Sequence, residues 1–140
     1  MRTPWFMGRF SAVRAAILER VREARTSWAG RARAKRGRLR EQRAFDALAL
    51  RKGRRDVADF METASCGVAD VVGGVDFYVV VVEGGARRPV RLAVTGPDLV
   101  AVKEIRHPGN VVVAVEPQEP VELVATHIMA AIAARKGVHA

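Results

Sequence analysis

The stretch from residue 74 to residue 95 constrains the fold of this chain more than any other. It holds an apolar run at residues 75–82, then Glu83-Gly84-Gly85-Ala86, then an alternating segment at residues 90–94. β-Branched and aromatic residues favour strands, and a Gly-Gly pair supplies the positive φ angles of a tight hairpin turn. The stretch therefore predicts two antiparallel strands. Because the first strand is so apolar, we expect it to lie inside a sheet with both of its faces covered.

One acid, Asp76, lies inside this apolar run. An ionised carboxylate in a buried strand is costly unless a partner group, a metal ion or a water-filled cleft lies beside it. A functional Asp76 would be a metal ligand. A structural Asp76 would be bonded to Arg91 or to the N-terminus of a helix. Asp76 is therefore the residue whose surroundings most need an explanation.

The segments around the hairpin carry the periodicities of helices and strands. We predict helices at residues 39–50, 99–106 and 121–135, a strand at residues 110–115, and either an edge strand or a helix at residues 57–63. This order predicts an α/β domain, or alternatively an α+β domain, with a sheet partly covered by helices on both faces.

Charge is divided unevenly along the chain. Residues 1–55 hold 17 Lys/Arg and 4 Asp/Glu, a net charge of +13, whereas residues 56–140 hold 7 Lys/Arg and 11 Asp/Glu, a net charge of −4. We therefore predict a basic helical extension or arm at residues 1–38 and a domain at residues 39–140. Such clustering indicates a polyanionic partner, and the backbone phosphates of DNA or RNA fit best. The residues expected to contact phosphate are Arg31, Arg33, Lys35, Arg36, Arg38, Arg40 and Arg43.

The residues before this basic run predict an amphipathic helix at 11–28, with Val13, Ile17 and Val21 on one face. Such a helix docks on its own domain, pairs with a partner helix or a second copy, or lies on a membrane surface. The membrane is the less favoured partner, although the aromatic residues at 5–10 keep that alternative open.

Cellular location is constrained by cysteine content and by the chain start. Cys66 is the only cysteine, so an internal disulfide is excluded and a reducing compartment is indicated. No apolar run approaches the ~20 residues of a membrane-spanning helix, and residues 1–10 lack the apolar core of a secretory signal. We expect a cytoplasmic protein. The Arg-rich start is also compatible with an organelle transit peptide.

Three short motifs resemble those of the PD-(D/E)XK nuclease superfamily, which has the restriction-endonuclease-like fold. In that family a helix carries a Glu, a strand carries an Asp, and the next strand ends in (D/E/Q)-x-K. Here Arg40-Glu41-Gln42 lies in the predicted helix, Gly74-Val75-Asp76-Phe77 resembles the Asp strand, and residues 89–95 fall where the third motif belongs. The resemblance spans residues 39–135 and implies a mixed sheet flanked by helices.

The resemblance implies a Mg²⁺ site with Asp76 and Glu41 as ligands, cleaving phosphodiesters with the help of a lysine. From the residues alone, Glu41 is equally open to an ion pair with Arg38 or a neighbouring basic residue. The positions of the motif acid and lysine are Ala93 and Thr95, which offer neither a carboxylate nor a positive charge. We therefore expect nucleic-acid binding without catalysis and without a cofactor.

Two other functions stay open. One is an active Mg²⁺-dependent endonuclease in which Lys103 replaces the missing lysine. The other is a non-enzymatic assembly protein that uses the helix at residues 11–28 to bind a partner or a membrane.

Overall fold

The computed structural model describes residues 12–20, 28–63 and 73–139. The chain divides into two compact units, Met1–Lys35 and Arg36–Ala140. Helix α1 covers residues 12–20 of the first unit, and helix α2, Trp28–Gly53, has residues in both. The second unit continues with β1 (Val57–Glu62), β2 (Phe77–Glu83), β3 (Ala86–Thr95), a 3₁₀ turn (Pro97–Leu99), α3 (Val100–Arg106), β4 (Val111–Ala114) and α4 (Val121–His139).

The strands form one four-stranded sheet in the order β1-β2-β3-β4. The first three strands are antiparallel neighbours, and β4 lies parallel to β3. Parallel neighbours require a crossover connection, and here the 3₁₀ turn and α3 supply it. The predicted mixed α/β architecture, a sheet flanked by helices, is confirmed. Of the two alternatives for residues 57–63, the structure shows the edge strand.

The β2–β3 hairpin has the turn that the sequence predicts. Glu83 pairs with Ala86, which leaves Gly84 and Gly85 as the two loop residues. Their φ angles are 56° and 81°, both positive, as a type I′ turn requires. This turn fixes the register of the two strands, so every second residue of β2 points toward the core.

The hydrophobic core lies against one face of the sheet, which we call the core face. Phe77, Val79 and Val81 alternate along β2 and are at most 1% exposed. Helices α2 and α4 pack against the same cluster. The core residues from these helices are Ala44, Ala47, Leu48, Val124, Ala125, Ile128 and Ile132.

The opposite face of the sheet, which we call the outer face, is partly open. Tyr78 and Val82 of β2 are 38% and 36% exposed. Our expectation that both faces of this strand are covered was therefore wrong. β-Branched residues favour the strand backbone through their restricted χ1 angles, so an all-apolar strand does not by itself require burial on both sides.

Strand β1 is an irregular edge of the sheet. Its register shifts between Val57 and Asp59, which marks a bulge. The end of α2 contacts this strand and the turn before it, because Arg51 pairs with Asp56 at 2.9 Å and Lys52 pairs with Asp59 at 3.1 Å. The hydrogen bond from Lys52, together with one from the Phe60 amide, lowers the pKa of the exposed Asp59 carboxyl.

The approach to β2 packs tightly against the end of α3. Gly74 has a φ of +64°, and a Cβ placed there would lie 2.7 Å from Cδ2 of His107. The neighbouring Asn110 is buried, and its side-chain amide donates to the Gly73 carbonyl at 2.8 Å. Both the backbone angle and the imidazole therefore favour glycine at position 74.

We predict that Gly74→Ala destabilises the fold by about 1–3 kcal/mol, through left-handed strain and the contact with His107. The free energy of unfolding in urea measures this loss. Gly84→Ala is the matched control, because Gly84 has a similar φ of +56° but no atom within 4 Å of its Cβ position. Equal losses in the two variants would show that the imidazole contact contributes nothing.

Candidate functional site

Strand register brings three positions of the nuclease-like motif together. The Phe77–Leu92 pair places Asp76 opposite Ala93, and the amide of Asp76 donates to the Leu92 carbonyl at 2.9 Å. Asp76 lies in the bend just before β2 rather than inside the strand. Thr95 ends β3 two residues beyond Ala93. These positions therefore meet where β2 begins and β3 ends.

The Asp76 carboxylate has a structural partner. Its Oδ2 accepts a hydrogen bond from the backbone amide of Val94 at 2.7 Å, and the residue is only 8% exposed. Val94 lies opposite the segment that precedes β2. The carboxylate therefore binds this amide at the point where the strand pairing begins. A buried amide must be paired, and an ionised acceptor forms a strong bond. This bond gives one reason for an acid at position 76 that involves no metal.

Helix α2 reaches the same end of the sheet through an arginine. The Nε of Arg40 donates to the Val115 carbonyl at 2.9 Å, just beyond β4. Its Nη2 lies 3.1 Å from the point where a Cβ at Gly96 would stand, just beyond β3. Arg43 donates to the Pro117 carbonyl at 3.0 Å. Arg40 and Arg43, two of the residues predicted to contact phosphate, thus also hold α2 against the carboxyl ends of β3 and β4.

Glu41 follows Arg40 on α2 and is half-buried. It shares a helical face with Ala44 and Leu48, both fully buried, because these residues follow it by three and seven positions. The contacts of Arg40 and Arg43 place this part of α2 beside the ends of β3 and β4. Lys103 lies on α3, the helix after β3, and its carbonyl accepts from the His107 amide at 2.9 Å.

The metal ligands of the motif are incomplete. Mg²⁺ prefers oxygen ligands in near-octahedral geometry. Ala93 supplies no side-chain oxygen, and one oxygen of Asp76 is bonded to Val94. Within residues 12–20, 28–63 and 73–139, no group of three or more His, Cys, Asp or Glu side chains is placed to hold a metal ion. The motif residues therefore do not fit the Mg²⁺ site that the resemblance implies.

The predicted basic run is helical, so of the two forms that we considered, a helix or an arm, the structure shows the helix. Arg31, Lys35, Arg36 and Arg38 are exposed on α2, and the side chain of Arg33 lies outside the described part. The first turn of α2 contains no acid. Four exposed cations therefore lie on α2 before Arg40.

The predicted amphipathic helix at residues 11–28 is described only at residues 12–20 and at residue 28. Val13 of α1 is 59% exposed and Ile17 is half-buried, while Val21, Cys66 and the aromatic residues at 5–10 lie outside the described residues. None of the helices that the structure describes is long and apolar enough to cross a membrane.

No family model, curated protein or solved structure matches this chain.

We predict that Asp76→Ala destabilises the fold by about 1–3 kcal/mol, because it leaves the Val94 amide buried without this acceptor. Asp76→Asn keeps an acceptor oxygen, so we expect a smaller loss. Urea denaturation measures both variants, and hydrogen exchange at the Val94 amide reports the bond directly. Unchanged protection of that amide in Asp76→Ala would contradict the structural role.

Proposed function

We propose that this protein binds the phosphate backbone of DNA or RNA through α2 and does not cleave it. We further propose that Arg36–Ala140 is a restriction-endonuclease-like domain that has lost its catalytic set. The order of its elements and the meeting of the three motif positions support the fold. The exposed cations of α2 carry the binding proposal.

The charge pattern of α2 is unfavourable in the free protein. Between residues 28 and 40 the chain has six Lys/Arg and no Asp or Glu. Like charges four residues apart, such as Arg36 and Arg40, repel each other along a helix. A row of phosphates would relieve this repulsion, which is a reason for this helix to meet a polyanion.

Phosphate contacts of this kind position a protein without reading bases. DNA and RNA share this backbone, so either nucleic acid is a suitable partner. The residues at the motif positions support the absence of catalysis. Ala93 cannot bind a metal ion, Thr95 cannot supply a positive charge, and Asp76 already bonds the Val94 amide.

We predict that the triple variant Lys35→Gln/Arg36→Gln/Arg38→Gln binds a labelled 20-base-pair duplex at least tenfold more weakly. The logarithm of the association constant falls linearly with the logarithm of the salt concentration, and each phosphate contact contributes about 0.9 to the steepness of that line. The line for the triple variant should therefore be less steep by about 2 to 3. Fluorescence anisotropy at several salt concentrations measures both quantities.

The matched control is Arg55→Gln/Arg87→Gln/Arg106→Gln, which removes the same charge from three other exposed positions. We expect this control to change affinity far less than the α2 variant. If the two triple variants weaken binding equally, net charge rather than α2 governs the interaction, and the proposal is wrong.

We also predict that the wild-type protein does not nick supercoiled plasmid DNA in Mg²⁺ or Mn²⁺. An agarose-gel assay measures nicking, with Asp76→Asn and Lys103→Ala as parallel samples. Metal-dependent nicking by the wild type that both variants lose would establish the active endonuclease instead.

A further inference from the structure

A cleft lies along β2 and β3 beside the start of β4, and outer-face side chains of both strands help to line it. Its volume is about 520 Å³, within the range of small-molecule sites. Apolar and aromatic residues of β2, β3 and β4 line it together with arginines of β3 and α4. The lining includes Tyr78, Val80, Pro89, Arg88, Arg91 and Arg135.

Positive charge is concentrated at this cleft. Residues 56–140 carry a net charge of −4 and hold only seven Lys/Arg, yet three of these line the cleft. Among the described lining residues none is Asp or Glu. Arg88 pairs with Val81, so it points toward the core face, and it bonds Glu83 at 3.0 Å; Arg91 and Arg135 are therefore the main cationic side chains. The cleft is therefore suited to an anion.

An aromatic ring lies beside these cations. Tyr78 is 38% exposed, and strand pairing places it between Met61 of β1 and Arg91 of β3. Directly paired residues point to the same face of a sheet, so Met61, Tyr78 and Arg91 form a row across the outer face. The next row runs from Asp59 of β1, which forms an ion pair with Lys52, through Val80 to Pro89. The exposed ring beside Val80 and Pro89 is suited to a flat aromatic group.

We propose that this cleft binds one unpaired nucleotide, with its base against the Tyr78 ring and its phosphate between Arg91 and Arg135. Exposed aromatic rings on sheets stack bases whose faces are not already covered by duplex neighbours. A base within a duplex does not offer such a face. The inference rests on the proposed nucleic-acid binding and adds that the bound strand is single-stranded at the cleft.

Tyr78 permits a direct test, because it is the only tyrosine of the chain. Wild-type protein with ¹³C-labelled tyrosine gives one set of ring signals in NMR spectra. We expect these signals to shift when a single-stranded dT12 or adenosine monophosphate is added, and to stay in place with a DNA hairpin of equal charge. Binding of dT12 without any movement of the Tyr78 signals would overturn the proposal.

Variants test the same site by affinity. Tyr78→Ala should weaken dT12 binding about tenfold, as expected for the loss of a base–aromatic stack, and should leave hairpin binding within about twofold. Tyr78→Phe keeps the ring and should bind dT12 as the wild type does. Arg91→Gln should also weaken dT12 binding. Circular dichroism confirms that each variant is folded.

The outcomes separate the two proposals. If Tyr78→Ala binds dT12 normally while the α2 triple variant binds weakly, the cleft is not a nucleotide site and the proposed function stands. If the wild type binds neither oligonucleotide, the proposed function is wrong. The adenosine monophosphate titration then tests by itself whether the cleft binds a nucleotide. A shift of the Tyr78 signals in that titration supports a nucleotide site, and no shift overturns it.

Discussion

The hydrogen bond between the Asp76 carboxylate and the Val94 amide sets where β2 begins against β3. From that point the pairs run from Phe77–Leu92 to the hairpin turn. Because side chains alternate along a strand, a slip of one residue would turn Phe77, Val79 and Val81 away from the core. The core face, and the helices packed against it, therefore depend on the register that this bond holds at one end and Gly84-Gly85 hold at the other.

Helix α2 combines two roles that are separated along its length. Its C-terminal half buries Ala44, Ala47 and Leu48 in the core, and its N-terminal half exposes cations. Between them, Arg40 and Arg43 donate to main-chain carbonyls beyond β4. A phosphate bound near these arginines would therefore lie close to the contacts that hold α2 against the sheet. We expect phosphate binding to change the stability of the domain for this reason.

The sequence indicated those features that have local causes. The hairpin follows from two adjacent glycines between β-rich segments, and the closing helix from its apolar periodicity. The Asp76 partner could not be predicted, because a backbone amide has no signature in the sequence. The bond from Arg40 to a main-chain carbonyl could not be predicted either. In the sequence of a basic run, an arginine with a structural role looks the same as one that binds phosphate. The cleft joins Arg91 with Arg135, far apart in the chain, so only tertiary structure reveals it.

The irregular edge strand β1 has a consequence for how copies of this domain behave when they are crowded together. An exposed strand edge offers unpaired amides and carbonyls to any other strand, which promotes aggregation. The bulge between Val57 and Asp59 breaks the regular spacing that a new strand would need, and the exposed Asp59 adds a charge there. A high local concentration of the domain is therefore not expected to join neighbouring sheets through β1.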